Sequence, residues 1–261
     1  MSAAHESKKF ERNTEDREIR AMILAAGLGT RFKPWTDHHP KALVVINGKT
    51  LLQRNIEWLV KYGIRKIMIN VHHFADQIQD AIHQSLGWGA EIQISDERNE
   101  LLETGGGLKK ASWYFEEDSF LLLNADILTD LNLQAFIDFH QKNNFLATLA
   151  VTNRTSSRYF LFDEKNCLCG WRNAKTGEEK GPVSAFPSEK RKSVVQKAFS
   201  GIHLIRPSIF PLIRLNGKFS MVDLYLDLAA TEWIGSFDHS GSKFVDVGRQ
   251  ESVGEAELLF P

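Results

Sequence analysis

The sequence predicts an α/β fold in which a mixed, mostly parallel sheet carries helices on both faces, with a small antiparallel excursion in the second half. Two observations carry this prediction. From Ala21 to Asn124, short apolar runs alternate with amphipathic segments, which is the order of parallel strands joined by crossover helices. After Phe145, short alternating runs are separated by polar turns, which is typical of antiparallel strands.

Length and composition narrow the class of protein. The 261 residues suffice for one large domain, which we expect over 19–261. Residues 1–18 are almost entirely polar and lack the apolar segment of a signal peptide, so they are interpreted as a flexible N-terminal extension. The net charge of −1 gives no general affinity for nucleic acid or an anionic membrane. No apolar run approaches the roughly 18–20 residues of a spanning helix.

We therefore expect a cytoplasmic protein, a monomer or small homo-oligomer, with no nucleic-acid or membrane partner. Cys167 and Cys169 flank a single residue, a spacing that is neither a redox motif nor half of a usual zinc site. These thiols are interpreted as structural.

The first predicted strand covers the apolar run from Ala21 to Ala26 and ends in a glycine loop. Gly27 and Gly29 have no Cβ to keep a ligand away from the backbone. The cations that follow are Arg31, Lys33 and Lys41. A strand that ends in such a loop is typical of sites that hold a phosphate chain.

Two well-known phosphate loops do not match this segment. The P-loop pattern G-x-x-x-x-G-K-[ST] does not occur in the chain. The dinucleotide fingerprint G-x-G-x-x-G fails because Gly27-Leu28-Gly29 is followed by Thr30, Arg31 and Phe32, with no third glycine.

The elements after the loop continue a Rossmann-like order of strands and helices. Apolar periodicity predicts helices at Thr50 to Tyr62 and Phe74 to Leu86, and strands at Arg65 to Val71 and Glu91 to Ser95. Ligands of such sheets lie beyond the carboxyl ends of the strands. His72 and His73 end one strand but face opposite ways, so they cannot share a metal. They are interpreted as structural; the alternative is that one of them lines the ligand pocket.

A second glycine segment, Glu103-Thr104-Gly105-Gly106-Gly107, precedes a predicted helix at Leu108 to Tyr114. Three glycines before a helix leave free amides and allow a close approach of an anion or a flat ring. An ordinary N-terminal turn of a helix is equally compatible with this segment alone.

The apolar run from Ser119 to Asn124 predicts a buried strand that ends in Ala125-Asp126. An acid at the carboxyl end of a central strand, beside a phosphate loop, is well placed to hold Mg²⁺. It would alternatively cap a turn. Asp130 is expected to cap a helix at Leu133 to Phe139.

The second half of the chain is predicted to contain an excursion over about 152–206. The predicted strands are Leu146 to Val151, Tyr159 to Phe162, Leu168 to Trp171 and Ala198 to Ile205. The polar tract from Lys175 to Lys192 is expected to be a surface loop. Helices are predicted at Met221 to Trp233 and Ser252 to Phe260.

The string from Leu24 to Leu43, L-A-A-G-L-G-T-R-F-K-P-W-T-D-H-H-P-K-A-L, resembles the signature of the sugar-1-phosphate nucleotidylyltransferases. That signature reads roughly L-A-A-G-x-G-T-R-x-x-P-x-T-x-x-x-P-K-x-L. The resemblance implies the nucleotide-diphospho-sugar transferase fold, a nucleoside triphosphate and a sugar-1-phosphate as partners, and Mg²⁺ as cofactor. It implies catalytic roles for Arg31 and Lys41, and nucleotide-binding roles for Leu24, Ala25, Ala26, Gly27, Gly29, Thr30, Thr104, Gly105 and Gly106.

Other segments add to the resemblance. Asn124-Ala125-Asp126 and Phe244-Val245-Asp246-Val247-Gly248 are similar to the family's two metal-binding elements, which implies Asp126 and Asp246 as ligands; Phe244 stands where tryptophan is more usual. Phe199-Ser200-Gly201-Ile202 is similar to a segment that lines the sugar pocket. The implied sugar-binding residues are Glu103, Asn124, Ser200 and Gly201. The E-K-P string of larger relatives, whose lysine contacts the sugar phosphate, is absent, and Lys197 is a possible substitute.

The E-T-G-G-G form resembles the small N-acetylmuramate-1-phosphate uridylyltransferases of bacterial cell-wall recycling. The first hypothesis is therefore a uridylyltransferase for peptidoglycan recycling. Alternatives are a mannose-1-phosphate guanylyltransferase, a phosphocholine cytidylyltransferase, or a non-catalytic regulatory subunit that binds nucleotide sugars. The joint presence of Arg31, Lys41, Asp126 and Asp246 argues against the binding subunit.

Overall fold

The computed structural model describes residues 18–115 and 118–261; the expected extension therefore lies, apart from Glu18, outside the described residues. The strands are β1 Ala21–Leu24, β2 Val45–Ile46, β3 Lys49–Thr50, β4 Lys66–Val71, β5 Glu91–Asp96, β6 Phe120–Asn124, β7 Ile127–Thr129, β8 Ala147–Thr152, β9 Arg158–Phe162, β10 Leu168–Asn173, β11 Glu179–Lys180, β12 Val195–Ile205, β13 Ile234–Asp238 and β14 Phe244–Asp246. The α-helices are α1 Leu51–Lys61, α2 Ala75–Gln84, α3 Glu103–Lys110, α4 Leu133–Lys142, α5 Ser188–Arg191, α6 Met221–Leu228 and α7 Ser252–Leu259.

One ten-stranded mixed sheet organises the molecule. Its main path runs β11-β10-β9-β12-β6-β1-β4-β5, and β8 and β13 join it through β12. The strands β6, β1, β4 and β5 are parallel to one another, whereas β12 is antiparallel to β6, β8 and β9. The predicted α/β sheet is confirmed.

Helices cover both faces of the sheet, as predicted. The side chains of β1, which point alternately to the two faces, show this arrangement. Ala21 and Ile23 pack in the core that also contains apolar residues of α1, α2 and α4. Met22 and Leu24 point into the opposite core, which contains residues of α3 and α6. Successive side chains of a strand face opposite sides, so a continuous apolar strand is what a sheet with two covered faces requires.

The antiparallel strands β9, β10 and β11 extend this sheet beyond β12 and do not form a separate one. The predicted strands of the excursion are found within one to three residues of their predicted ends. The tract from Lys175 to Lys192, expected as a loop, contains the two-residue β11 and the one-turn α5.

Side-chain caps explain where several helices begin. The Thr50 hydroxyl accepts a hydrogen bond from the Gln53 amide at the start of α1, and Ser220 and Asp223 form a capping box at α6. The prediction that Asp130 caps α4 is wrong: Asn132 is the cap, and Asp130 accepts from the Lys243 amide. The α6 helix ends at Leu228, earlier than the predicted Trp233.

Candidate functional site

A cleft of about 540 Å³ lies at the carboxyl ends of β1, β4 and β6. In such sheets this edge is where ligands bind. Most of the predicted site residues lie on its wall. These are Leu24, Ala25, Ala26, Gly27, Gly29, Thr30, Arg31, Lys41, Glu103, Thr104, Asn124 and Asp126.

The glycine loop forms one wall of the cleft. Gly29 has φ +62°, and a Cβ there would lie 2.9 Å from Cγ2 of Thr36 and 3.1 Å from Cβ of Lys41. A side chain is therefore excluded by both conformation and space. A Cβ on Gly27 would meet no atom within 4 Å, so the space beside this glycine is open to a ligand.

Arg31, Lys41 and Asp126 bring charge to the cleft. Arg31 is exposed in a short helical turn, Thr30–Phe32, directly after Gly29. The Lys41 ammonium pairs with the Asp126 carboxylate. The side chain of Asn55, buried in α1, donates to the carbonyl of Ala125 and so holds the segment that presents Asp126.

Asp246 reaches the same place through strand pairing. β14 is antiparallel to β7, with Asp246 opposite Ile127, and the Val247 amide donates to the carbonyl of Asp126. Gly248 lines the cleft; a Cβ there would lie 2.7 Å from Asp246 Oδ1 and 3.2 Å from Arg31 Nη2. Glycine at this position lets the two charged groups approach each other.

The two carboxylates have the chemistry of a magnesium site. Asp246 is an exposed residue, yet the protein around its carboxyl group removes part of the water that would stabilise the charge. This desolvation, together with the charge of Asp126, raises its pKa. The residues that the structure describes contain no cluster of three or more acidic, histidine or cysteine ligands. A pair of carboxylates completed by phosphate oxygens is a usual arrangement for Mg²⁺, so the residues present fit this ion.

The second glycine segment differs from its prediction. The glycines do not precede a helix at Leu108; they lie inside α3, which begins at Glu103. The amides of Gly105 and Gly106 donate to the carbonyl of Phe219 and are therefore not free for an anion. Neither glycine lies on the cleft wall. Glycine is needed because a Cβ at 105 would lie 2.5 Å from the Phe219 ring.

The predicted sugar-side residues separate into two groups. Glu103 and Asn124 lie on the cleft wall. Gly201, with φ +73°, lies behind Asn124, since a Cβ there would be 2.6 Å from Asn124 Nδ2. Ser200 is buried and does not line the cleft. Its hydroxyl is hydrogen bonded to His239 Nε2 at 2.8 Å.

Lys197, the possible substitute for the missing lysine, does not line the cleft. Its ammonium group donates hydrogen bonds to Asn153 and Asp238.

The ring of His72 is hydrogen bonded to the carbonyl of Glu97 at 2.7 Å, consistent with the structural role that the sequence predicts. Burial raises the pKa of the Cys169 thiol to about 11, so this cysteine is not a reactive thiolate.

Several residues on the cleft wall were not predicted from the sequence. Asn70 lies near the end of β4, and Lys218 and Ser220 come from the loop before α6. This loop packs on α3: the Met221 amide donates to the Thr104 hydroxyl, and Lys218 lies 3.7 Å from Glu103. Gly248 had a local signal, its position two residues after Asp246, whereas Asn70, Lys218 and Ser220 had none.

Comparison with known proteins agrees with this architecture. The N-acetylmuramate alpha-1-phosphate uridylyltransferase of Caulobacter vibrioides is 31% identical over 218 residues, which cover 80% of this chain and 84% of that protein. The UTP–glucose-1-phosphate uridylyltransferase of Synechocystis is 35% identical over 91% of this chain, and the mannose-1-phosphate guanyltransferase of Yarrowia lipolytica is 29% identical over 93%. The matched regions span 62% and 64% of those two longer proteins.

Among solved structures, HddC from Yersinia pseudotuberculosis complexed with GMP-PN superimposes with a TM-score of 0.74 at 24% identity, over 93% of this chain and 100% of that chain. At that identity the likeness supports the fold. The family model for nucleotidyl transferases matches residues 20–161, from β1 to β9. The chain belongs to the nucleotidyl transferase family.

Proposed function

We propose that this protein joins a nucleoside triphosphate to a sugar-1-phosphate, giving a nucleotide sugar and pyrophosphate. The observation that carries the proposal is the convergence of a glycine loop, Arg31, Lys41 and Asp126 on one cleft, with the charge of Asp246 close to that of Asp126. A domain that only bound a nucleotide sugar would not need all of these groups.

The chemistry requires no side chain that takes a proton from the nucleophile. The phosphate oxygen of a sugar-1-phosphate is already anionic at neutral pH, and it would form a bond to the α-phosphorus while the bond to the pyrophosphate oxygen breaks. What the protein must supply is in-line positioning and neutralisation of charge.

The cleft residues fit these tasks. The Arg31 guanidinium would bind phosphate oxygens with its planar fork and stabilise the departing pyrophosphate. Lys41 would add a second positive charge, and the loop from Gly27 to Thr30 would offer backbone amides. Asp126 and Asp246 would hold Mg²⁺, which in such sites neutralises phosphate charge and orients the reacting groups.

For the substrates we propose UTP and an N-acetylmuramate-type sugar-1-phosphate. The support is the E-T-G-G-G segment together with the similarity to N-acetylmuramate alpha-1-phosphate uridylyltransferases of Caulobacter vibrioides and Neisseria meningitidis, which match over 84% and 98% of their own lengths. This assignment would place the protein in peptidoglycan recycling.

A guanylyltransferase for mannose-1-phosphate is the second candidate, supported by the match over 93% of the chain to the Yarrowia lipolytica protein. The deciding experiment is pyrophosphate release with Mg²⁺ across four nucleoside triphosphates and a panel of sugar-1-phosphates. We expect strong release with UTP and N-acetylmuramate-1-phosphate. Preference for GTP and mannose-1-phosphate would support the second candidate. Nucleotide binding without pyrophosphate release in any combination would contradict a catalytic function.

A further inference from the structure

A buried carboxylate lies behind the cleft, outside the groups described so far. Glu97 directly follows β5 and is 1% exposed. Its Oε1 accepts a hydrogen bond from Asn70 Nδ2 at 2.8 Å, and its Oε2 accepts from the Leu102 amide at 3.3 Å. A buried acid is expensive to maintain unless its oxygens are satisfied in this way, which indicates that it has a specific task.

The hydrogen bonds of Asn70 extend this arrangement to the glycine loop. Asn70 is 2% exposed, and its Oδ1 accepts from the Ala25 amide at 2.8 Å. Burial raises the pKa of Glu97, but both of its oxygens accept hydrogen bonds, as the oxygens of an ionised carboxylate do. Glu97 therefore requires Asn70 to turn its NH₂ group inward, and this leaves the amide oxygen facing Ala25.

The third glycine of α3 belongs to the same arrangement. A Cβ on Gly107 would lie 2.7 Å from Glu97 Oε1 and 2.9 Å from Asn70 Nδ2. The helix, the turn at Leu102 and the loop at Ala25 thus meet at one carboxylate. Each of these segments contributes residues to the cleft wall or directly adjoins one that does.

We propose that Glu97 is a positioning residue for nucleotide binding, which orients the Asn70 amide and so holds the glycine loop in register with α3. The inference rests on the proposed function for its ligand, a nucleoside triphosphate. Glu97 does not contact the substrate; it acts through Asn70 and through the Leu102 amide.

The test exchanges the hydrogen-bond donor and acceptor between Glu97 and Asn70. In Glu97→Gln, the side chain offers one acceptor to two donors, so either Asn70 or Leu102 loses its partner. In Asn70→Asp, two carboxylates face each other. In the double variant E97Q/N70D, the introduced glutamine would donate to the introduced aspartate and accept from Leu102, and that aspartate would still accept from Ala25. Asp96→Asn is the matched control, because Asp96 is an exposed neighbouring acid paired with Arg98.

The first readout is amide hydrogen exchange at Ala25 and Leu102 in the full chain without substrate. Loss of a buried partner is expected to speed exchange at one or both of these amides about tenfold in each single variant, and the double variant should regain protection. Unchanged exchange in Glu97→Gln, or a double variant no better protected than the single variants, would overturn the proposal. If the single variants do not fold, a folded double variant supports it and an unfolded one contradicts it.

The second readout is the affinity for UTP and GTP, measured by calorimetry. We expect Glu97→Gln to weaken binding of the preferred nucleotide about tenfold, the double variant to recover most of it, and Asp96→Asn to match the wild type. A role in packing alone would not produce recovery by a second charge change. Because exchange is measured without nucleotide, a wild-type protein that bound neither nucleotide would count against the proposed function, while the exchange pattern would still decide whether Glu97 holds the loop.

Discussion

The loop after β1 and the helix α3 both carry glycines beside the same cleft, but the surroundings of those glycines differ. A Cβ on Gly27 would meet no atom within 4 Å, whereas a Cβ on Gly106 would lie 2.3 Å from the carbonyl oxygen of Gly217. Gly27 in the loop leaves space for a ligand, and Gly106 in the helix leaves space for the protein itself. Changes in the first region should therefore alter activity, and changes in the second should alter stability.

The largest effect on activity is expected at Asp126, which lies on the cleft wall together with the glycine loop. Asp126→Asn should lower the Mg²⁺-dependent rate by about a thousandfold, since a metal at transferring phosphates contributes several kcal/mol. The midpoint of thermal unfolding should change little. Reaction rates measured across a magnesium titration test the predicted loss of activity. Asp130→Asn, which alters an exposed acid that accepts from a backbone amide, should behave as the wild type; an unaltered magnesium dependence in Asp126→Asn would remove this residue from the site.

Arg31→Ala should lower kcat by at least about a hundredfold, because a charge clamp on transferring phosphates contributes several kcal/mol. Steady-state kinetics with both substrates measure the effect. Lys33→Ala provides the matched control, since Lys33 is a cation of the same loop that is exposed and paired with Asp37. Near-normal turnover in Arg31→Ala would contradict the role of this guanidinium.

In α3, the expected effect is on folding. Gly106→Ala should lower the free energy of unfolding by about 1–3 kcal/mol, because the new methyl group collides with backbone that cannot move cheaply. Urea unfolding measures this change. Gly254→Ala in α7 is the control: a Cβ there meets nothing within 4 Å, so higher helix propensity should stabilise the protein by about 0.5–1 kcal/mol. Equal effects at the two sites would mean that the contact with Gly217 is not tight.

These two regions also show what the sequence could and could not predict. The loop is local: its strand, glycines and cations are consecutive, so its position at the sheet edge follows from periodicity and the α/β pattern. The predicted start of α3, Leu108, is later than the observed start, Glu103, because glycine has low helix propensity. What compensates is packing against Phe219 and Gly217, which are distant in sequence. The pairing of β14 with β7 and the Asn70–Glu97 contact are likewise long-range and have no local signal.

The smallest effect is expected at Gly27, beside which the space is open. Gly27→Ala adds a methyl group where no protein atom lies within 4 Å, and Gly27 does not require a positive φ. The free energy of unfolding should therefore stay within about 0.5 kcal/mol of the wild type. If the space belongs to the nucleotide, the KM for the nucleoside triphosphate should rise about five- to tenfold, a cost of the size expected for overpacking a contact.

Gly241→Ala separates this effect from a general consequence of losing a glycine. A Cβ at 241 also meets no atom within 4 Å, but Gly241 does not lie on the cleft wall, so both KM and stability should match the wild type. A normal KM in Gly27→Ala would mean that the nucleotide does not approach this part of the backbone, and the open space would then need another explanation. A raised KM with unchanged stability would assign the space to the ligand, because no contact within the protein would have been altered.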